Sequence, residues 1–131
     1  MKYTIDKYGT KYTQRNDEFH SYDDMPALIY TNGDCHWYKD GDVHRDNDMP
    51  AIIFANGDKY WFKDDKLHRD NDLPAIIYAN GEQEWCRNNK LHRDNDMPAI
   101  IYANGYAEWW INGVLIKECD HYFVKTKRAN H

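Results

Sequence analysis

The longest apolar runs, such as Ala51 to Ala55, fall far below the ~20 residues that a helix needs to span a bilayer. A membrane is therefore not among the expected partners. The opening stretch, Met1 to Tyr12, contains no apolar segment of secretory type, so a cytoplasmic protein is expected. The three cysteines, Cys35, Cys86 and Cys119, form no Cys-x-x-Cys pair and suit reduced thiols. Cations are in the minority, 17 Lys and Arg against 22 Asp and Glu, and their only cluster is Lys125, Lys127 and Arg128. Without a basic face there is little counterion release to drive binding to phosphates, so nucleic acid is not an expected ligand. The acidic residues are interspersed with Lys and Arg, which also disfavours mimicry of a nucleic acid. No Ser, Cys or carboxylate pair occurs once with a base beside it, so a non-catalytic protein without cofactor is expected. The triplet His-Arg-Asp matches the protein-kinase catalytic loop, but the Gly-rich loop, strand Lys and Asp-Phe-Gly are missing.

Aromatic residues are plentiful: eleven Tyr and five Trp in 131 residues, punctuated by Asn-Gly and Asp-Gly. Ala-rich or Leu-rich helical stretches are lacking. That composition favours strands.

The arrangement is periodic. Gly9, Gly33, Gly57, Gly81 and Gly105 are 24 residues apart, as are His20, His44, His68 and His92, and Pro26, Pro50, Pro74 and Pro98. Trp37, Trp61, Trp85 and Trp109 each follow a glycine by four residues. A fixed period of this size marks a repeat architecture. Each unit parses into an apolar strand such as Pro74 to Ala79 and an Asn-Gly turn expected to be two-residue type I′ with both φ positive. A second strand follows, such as Asp58 to Lys63. Then come a second turn (Asp40-Gly41, Asp64-Asp65, Asn88-Asn89, Asn112-Gly113), a short extended piece and a loop Arg-Asp-Asn-Asp. The expected fold is all-β: an elongated antiparallel meander of tandem 24-residue β-hairpin repeats, with about two main strands per unit. One repeat domain, 1–131, is expected. Residues 1–18 would form a degenerate N-terminal cap, 19–117 the regular repeats, and 118–131 a C-terminal cap strand with a basic tail.

The Trp column predicts a buried aromatic spine, partnered by Ile29, Ile53, Ile77 and Ile101 and by Phe19, Val43, Leu67, Leu91 and Leu115. The His column runs with Arg45, Arg69 and Arg93 and with Asp46, Asp70 and Asp94. Repeated carboxylates can hold cations. The absence of Gly-rich calcium-loop spacing and the balancing Arg residues favour a structural ladder instead, with no metal. Other positions change from unit to unit. Next to the Trp, and on the other side of the strand, stand Tyr12 and Gln14, His36 and Tyr38, Tyr60 and Phe62, Glu84 and Cys86, Glu108 and Trp110. Side chains that vary on a constant scaffold point to recognition. His36, Tyr38, Tyr60, Phe62, Glu84, Glu108 and Trp110 are thus the candidate partner-binding residues, unless the sheet doubles over and covers them.

The unit with Trp37, Gly41, His44-Arg45-Asp46, Pro50-Ala51 and Asn56-Gly57 resembles the Trp- and His-Arg-Asp-containing repeats of uncharacterised phage, giant-virus and bacterial proteins. The likeness runs from Phe19 to Lys117. Such units are similar to membrane-occupation-and-recognition-nexus (MORN) repeats, with Arg-Asp-Asn-Asp-x-Pro-Ala where those have Gly-x-Gly. The resemblance implies a β array that mediates contacts. A viral relative would further imply an inhibitor that blocks a host defence protein within the host cytoplasm. The expected function is a non-catalytic protein-interaction module with a host protein as partner; a self-assembling or homodimeric scaffold is the alternative.

Overall fold

Short strand-forming pairs recur where the period places them, and each is paired antiparallel. The computed structural model describes residues 2–122, so Phe123, Val124 and the cluster Lys125, Lys127, Arg128 lie outside the described residues. The chain divides into two compact units, Met1–Lys66 and Leu67–His131.

In the first unit the main sheet runs in the order Thr4–Ile5, Lys11–Tyr12, Leu28–Ile29, Cys35–His36, Ile52–Ile53, Lys59–Tyr60. In the second it runs Ile76–Ile77, Gln83–Glu84, Ile100–Ile101, Ala107–Ile111, Val114–Cys119. Strands follow sequence order in both, so the fold is the expected all-β antiparallel meander of tandem hairpins.

The second strand of each regular repeat does not run straight through. It breaks at the Trp, as between Cys35–His36 and Tyr38–Lys39, or Gln83–Glu84 and Cys86–Arg87. The expected two strands per repeat are therefore four strands of two residues. The pieces after the break form secondary hairpins: Gln14–Arg15 with Glu18–Phe19, Tyr38–Lys39 with Asp42–Val43, and Cys86–Arg87 with Lys90–Leu91. These stack on one another. Gly41 N–H donates to the Phe19 carbonyl and Asp65 N–H to that of Val43 in the first unit; Gly113 N–H donates to that of Leu91 in the second. At the break the backbone bonds divide between two partners: Trp37 N–H donates to the Ala51 carbonyl while its own carbonyl accepts the His44 N–H, as Thr13 does with Ala27 and His20 and Trp85 with Ala99 and His92. The indole Nε1–H also reaches a loop carbonyl: Trp37 to Asp24, Trp61 to Asp48, Trp85 to Asp72.

The turns correct the sequence expectation in a second way. At Asn32-Gly33 only the glycine has positive φ, at 100°. Gly33 N–H donates to the Tyr30 carbonyl and Tyr30 N–H to that of Asp34, the pattern of a three-residue loop closed by a glycine bulge. The Asn32 side chain accepts the Asp34 N–H at 3.0 Å and so holds its own backbone out of the left-handed region. Two consecutive positive φ values, as a type I′ turn requires, occur instead in the secondary hairpins, at Asp40-Gly41 and Asn88-Asn89. They recur in the loops at Asn47-Asp48 and Asn95-Asp96. Asn and Asp tolerate this conformation best among residues with a Cβ.

The core is built from the constant positions. Ala27, Ala51, Ala75 and Ala99 are fully buried, and Trp37, Trp61 and Trp85 nearly so. Trp85, Ala99 and Ile101 form one cluster, with Trp110 and Tyr122 packed against it. Phe19 departs from its expected place beside the Trp residues. It meets Tyr12 at 6.0 Å and Tyr38 at 5.3 Å between ring centroids, because the break turns the secondary hairpin toward the other face.

The last hairpin also breaks the rule. Ala107–Ile111 pairs with the longest strand, Val114–Cys119, with a bulge at Ile116. Regular repeats reach a loop through His-Arg-Asp-Asn-Asp, whose Asn-Asp pair turns the chain. Here the same positions read Ile116-Lys117-Glu118-Cys119-Asp120, and the backbone stays extended.

Candidate partner-binding face

Whether a side chain is free to recognise anything depends first on what the scaffold has already used. The His-Arg-Asp loops are fully committed. Arg45 forms a fork with Asp24 of the preceding repeat (Nε–Oδ1 2.9 Å, Nη2–Oδ2 3.1 Å), donates to the Pro50 carbonyl and lies 3.9 Å over the Trp37 ring. Arg93 repeats this with Asp72, Pro98 and Trp85. Both Arg side chains are only 9% exposed, so each is a desolvated clamp and not a surface cation. Lys117 takes the same position in the final repeat, 4.7 Å over Trp109 and 3.4 Å from Asp96. The histidines are equally engaged. His44 Nδ1 accepts the Asp64 N–H at 3.0 Å, which fixes the tautomer, and Nε2–H donates to Asp46 at 2.8 Å. His92 does the same with Asn112 and Asp94. With both nitrogens of these two rings occupied, neither is presented to an ion or a substrate. The hydrogen bonds from Arg45 to Asp24 and from His44 to Asp46 hold those carboxyls below the ordinary carboxylate range. Polar grooves of about 470 Å³ and about 420 Å³ lie between successive loops, one in each unit, but this network lines them.

The opposite face of the main sheet is different. Cross-strand partners share a face, so the row Tyr12, Leu28, His36, Ile52, Tyr60 lies together in the first unit. Leu28 and Ile52 are buried, while His36 and Tyr60 are half-buried. Two residues not in the candidate set join them. Tyr30 meets His36 edge-on at 5.2 Å, His36 meets Phe54 at 6.2 Å, and Phe54 meets Tyr60 at 5.2 Å. Their signal was present in the sequence: Tyr30, Phe54, Tyr78 and Tyr102 are 24 residues apart and stand two beyond the buried apolar residue of the row. The result is a partly exposed aromatic patch, with Tyr30 39% exposed and His36, Phe54 and Tyr60 half-buried. Burial pushes the His36 imidazole below its ordinary range, against a smaller opposing effect of Asp34.

In the second unit the same row reads Ile76, Glu84, Ile100, Glu108, Glu118. Tyr78 donates to Glu84 at 3.1 Å, and Trp110 Nε1 and the Tyr102 hydroxyl donate to Glu108 at 3.0 and 3.5 Å. The aromatic row thus gives way to carboxylates held by phenols and an indole.

Of the other candidates, Tyr38 is half-buried, faces Val43 in its hairpin and stacks on His36. Phe62 is half-buried in the strand Phe62–Lys63. Trp110 packs against the core cluster. Cys86, its counterpart in the preceding repeat, is buried, and burial pushes its thiol up to about 12. The structure therefore brings His36, Tyr38 and Tyr60 together with Tyr30 and Phe54, and places Glu84 and Glu108 in a second, acidic row. No family model matches the sequence, and no curated protein matches it.

Proposed function

We propose that the chain is a non-catalytic protein-interaction module that binds its partner through the varying residues of the main sheet, with the patch Tyr30, His36, Phe54 and Tyr60 as the anchor. The observation that carries this reading is the contrast between the two faces. The constant Trp, Arg, His and Asp residues satisfy one another, while His36 and Tyr60, which change from repeat to repeat, sit half-buried on the other side beside the recurring Tyr30 and Phe54. Tyr and His at such a position give apolar area together with hydrogen-bonding edges at small entropic cost, as interface hot spots do. Blocking the surface of a host protein is the form of this function suggested by the likeness to phage and viral repeats.

The test is affinity capture from host extract with the tagged chain, in parallel with the double variant His36→Ala/Tyr60→Ala. A partner retained by the parent and lost by a variant that still melts cooperatively supports the reading. Equal capture by both overturns it.

A further inference from the structure

Asparagine followed by glycine readily loses its side-chain amide, because glycine has no side chain to shield its backbone nitrogen from the neighbouring amide carbon. The sequence holds five such pairs, beginning at Asn32, Asn56, Asn80, Asn104 and Asn112. Four are locked in the loops of the main sheet. Their side-chain oxygens accept the N–H two residues on, from Asp34, Asp58, Glu82 and Tyr106, at 2.9–3.0 Å. The carbonyl that the glycine nitrogen would have to attack is therefore already held. Asn112-Gly113 lies instead at the tip of the last hairpin, exposed, with φ of 48° and 82°. Its backbone is tied down: Asn112 N–H donates to His92 Nδ1 at 3.0 Å and Gly113 N–H to the Leu91 carbonyl at 2.8 Å. Its side chain is not, since among the described residues the Asn112 amide group makes no hydrogen bond. The equivalent tips of earlier repeats carry side-chain clamps. Asp40 is bound by Arg15 at 2.6 Å, Asp65 accepts the Val43 N–H at 3.1 Å, and Asn89 accepts the Leu67 N–H at 2.7 Å. Gly113 stands where Asp65 and Asn89 do and cannot make that bond. The glycine N–H of every pair is hydrogen-bonded, so the side chain is what sets Asn112 apart.

We propose that Asn112 is a self-modification site. The Gly113 backbone nitrogen attacks the Asn112 side-chain carbonyl carbon and loses its proton, and ammonia leaves as a cyclic imide closes. Water opens that ring at either carbonyl, giving aspartate or, with the chain rerouted through the side chain, isoaspartate. Water is consumed, ammonia is released, and no other reactant is required. The aspartate product suits the position: Asp40 and Asp64 occupy it in earlier repeats, each donating its backbone N–H to a His ring as Asn112 does. Isoaspartate instead adds a backbone carbon to the turn that sets the Ile111 and Val114 pairing, and so loosens the last hairpin. The modification goes beyond the binding reading and does not depend on it.

The test incubates the full chain in mildly alkaline buffer and follows each Asn-Gly pair by peptide mapping with mass spectrometry, with isoaspartyl methyltransferase labelling the rearranged product. In the folded chain Asn112 is expected to convert roughly fivefold or more ahead of Asn32, Asn56, Asn80 and Asn104, the factor set by one net hydrogen bond. In urea, where the folded bonds are lost, the rates of all the pairs are expected to converge. Equal rates in the folded chain, any of the other pairs converting ahead of Asn112, or a preference for Asn112 that persists unchanged in urea would overturn the proposal.

Discussion

At the scale of single residues, the Trp column does two jobs with one ring. The indole of Trp61 is nearly buried, and its Nε1–H holds the Asp48 carbonyl at 3.0 Å, so its loss removes packing and a loop tether together. Trp61→Ala is expected to cost roughly 3–5 kcal/mol in a denaturant melt. The alanines beneath the spine allow no growth. Ala51 is fully buried, and Ala51→Leu is expected to cost about 1–3 kcal/mol through overpacking. The Arg clamp makes a sharper prediction, because Lys117 shows what a lysine achieves at that position: a contact over Trp109 but a single, longer approach to Asp96. Arg93→Lys should keep the ring contact and lose the fork, destabilising by about 1–2 kcal/mol; Arg93→Ala should cost more. A melt in which Arg93→Lys matches the parent would show that the fork contributes nothing.

At the scale of elements, the loops and hairpins are legible in the sequence to different degrees. The period and the antiparallel pairing across Asn32-Gly33 follow from residue spacing alone, whereas the irregular last hairpin falls within residues that the spacing assigned to the regular repeats. The four-strand character of each repeat was hidden, because Lys59 to Lys63 alternates like one continuous strand. The break divides the backbone bonds of one residue between distant partners, as Trp37 does between Ala51 and His44, and no local pattern reports that. The turn types were misassigned for a related reason. Asn-Gly suits a type I′ turn, but the Asn side chain captures a backbone N–H and selects the bulged loop. The candidate face was half legible: His36 and Tyr60 were picked for their variability, whereas Tyr30 and Phe54 recur and so read as scaffold. The loops also set the acid response. Hydrogen bonds from Arg45, Arg15, His44 and His92 hold Asp24, Asp40, Asp46 and Asp94 below their ordinary range. Such groups contribute stability above the unfolded carboxylate value near ~3.9 that is lost as pH falls through the lower folded values. The melting temperature should therefore drop steeply below about pH 4. A melt that is flat there would show that the ladder contributes nothing. The same ladder predicts a melting temperature unmoved by EDTA, calcium or zinc, since an ion at 100 times its dissociation constant would add about 2.7 kcal/mol.

For the whole molecule, the claim is a division of labour. Constant columns build each unit, and the varying face of the sheet meets a partner. The structure refines which varying residues can do so. Trp110 packs on the core and Tyr38 on Phe19, so their replacement is expected to lower stability, whereas His36 and Tyr60 are half-buried on the varying face. The most direct test pairs a thermal melt with captured-partner binding for Trp61→Ala and for His36→Ala/Tyr60→Ala. The double variant should melt within a few degrees of the parent, about 1 kcal/mol, and lose the partner, while Trp61→Ala melts far lower. Equal destabilisation by both, or partner binding retained by the double variant, would contradict the account.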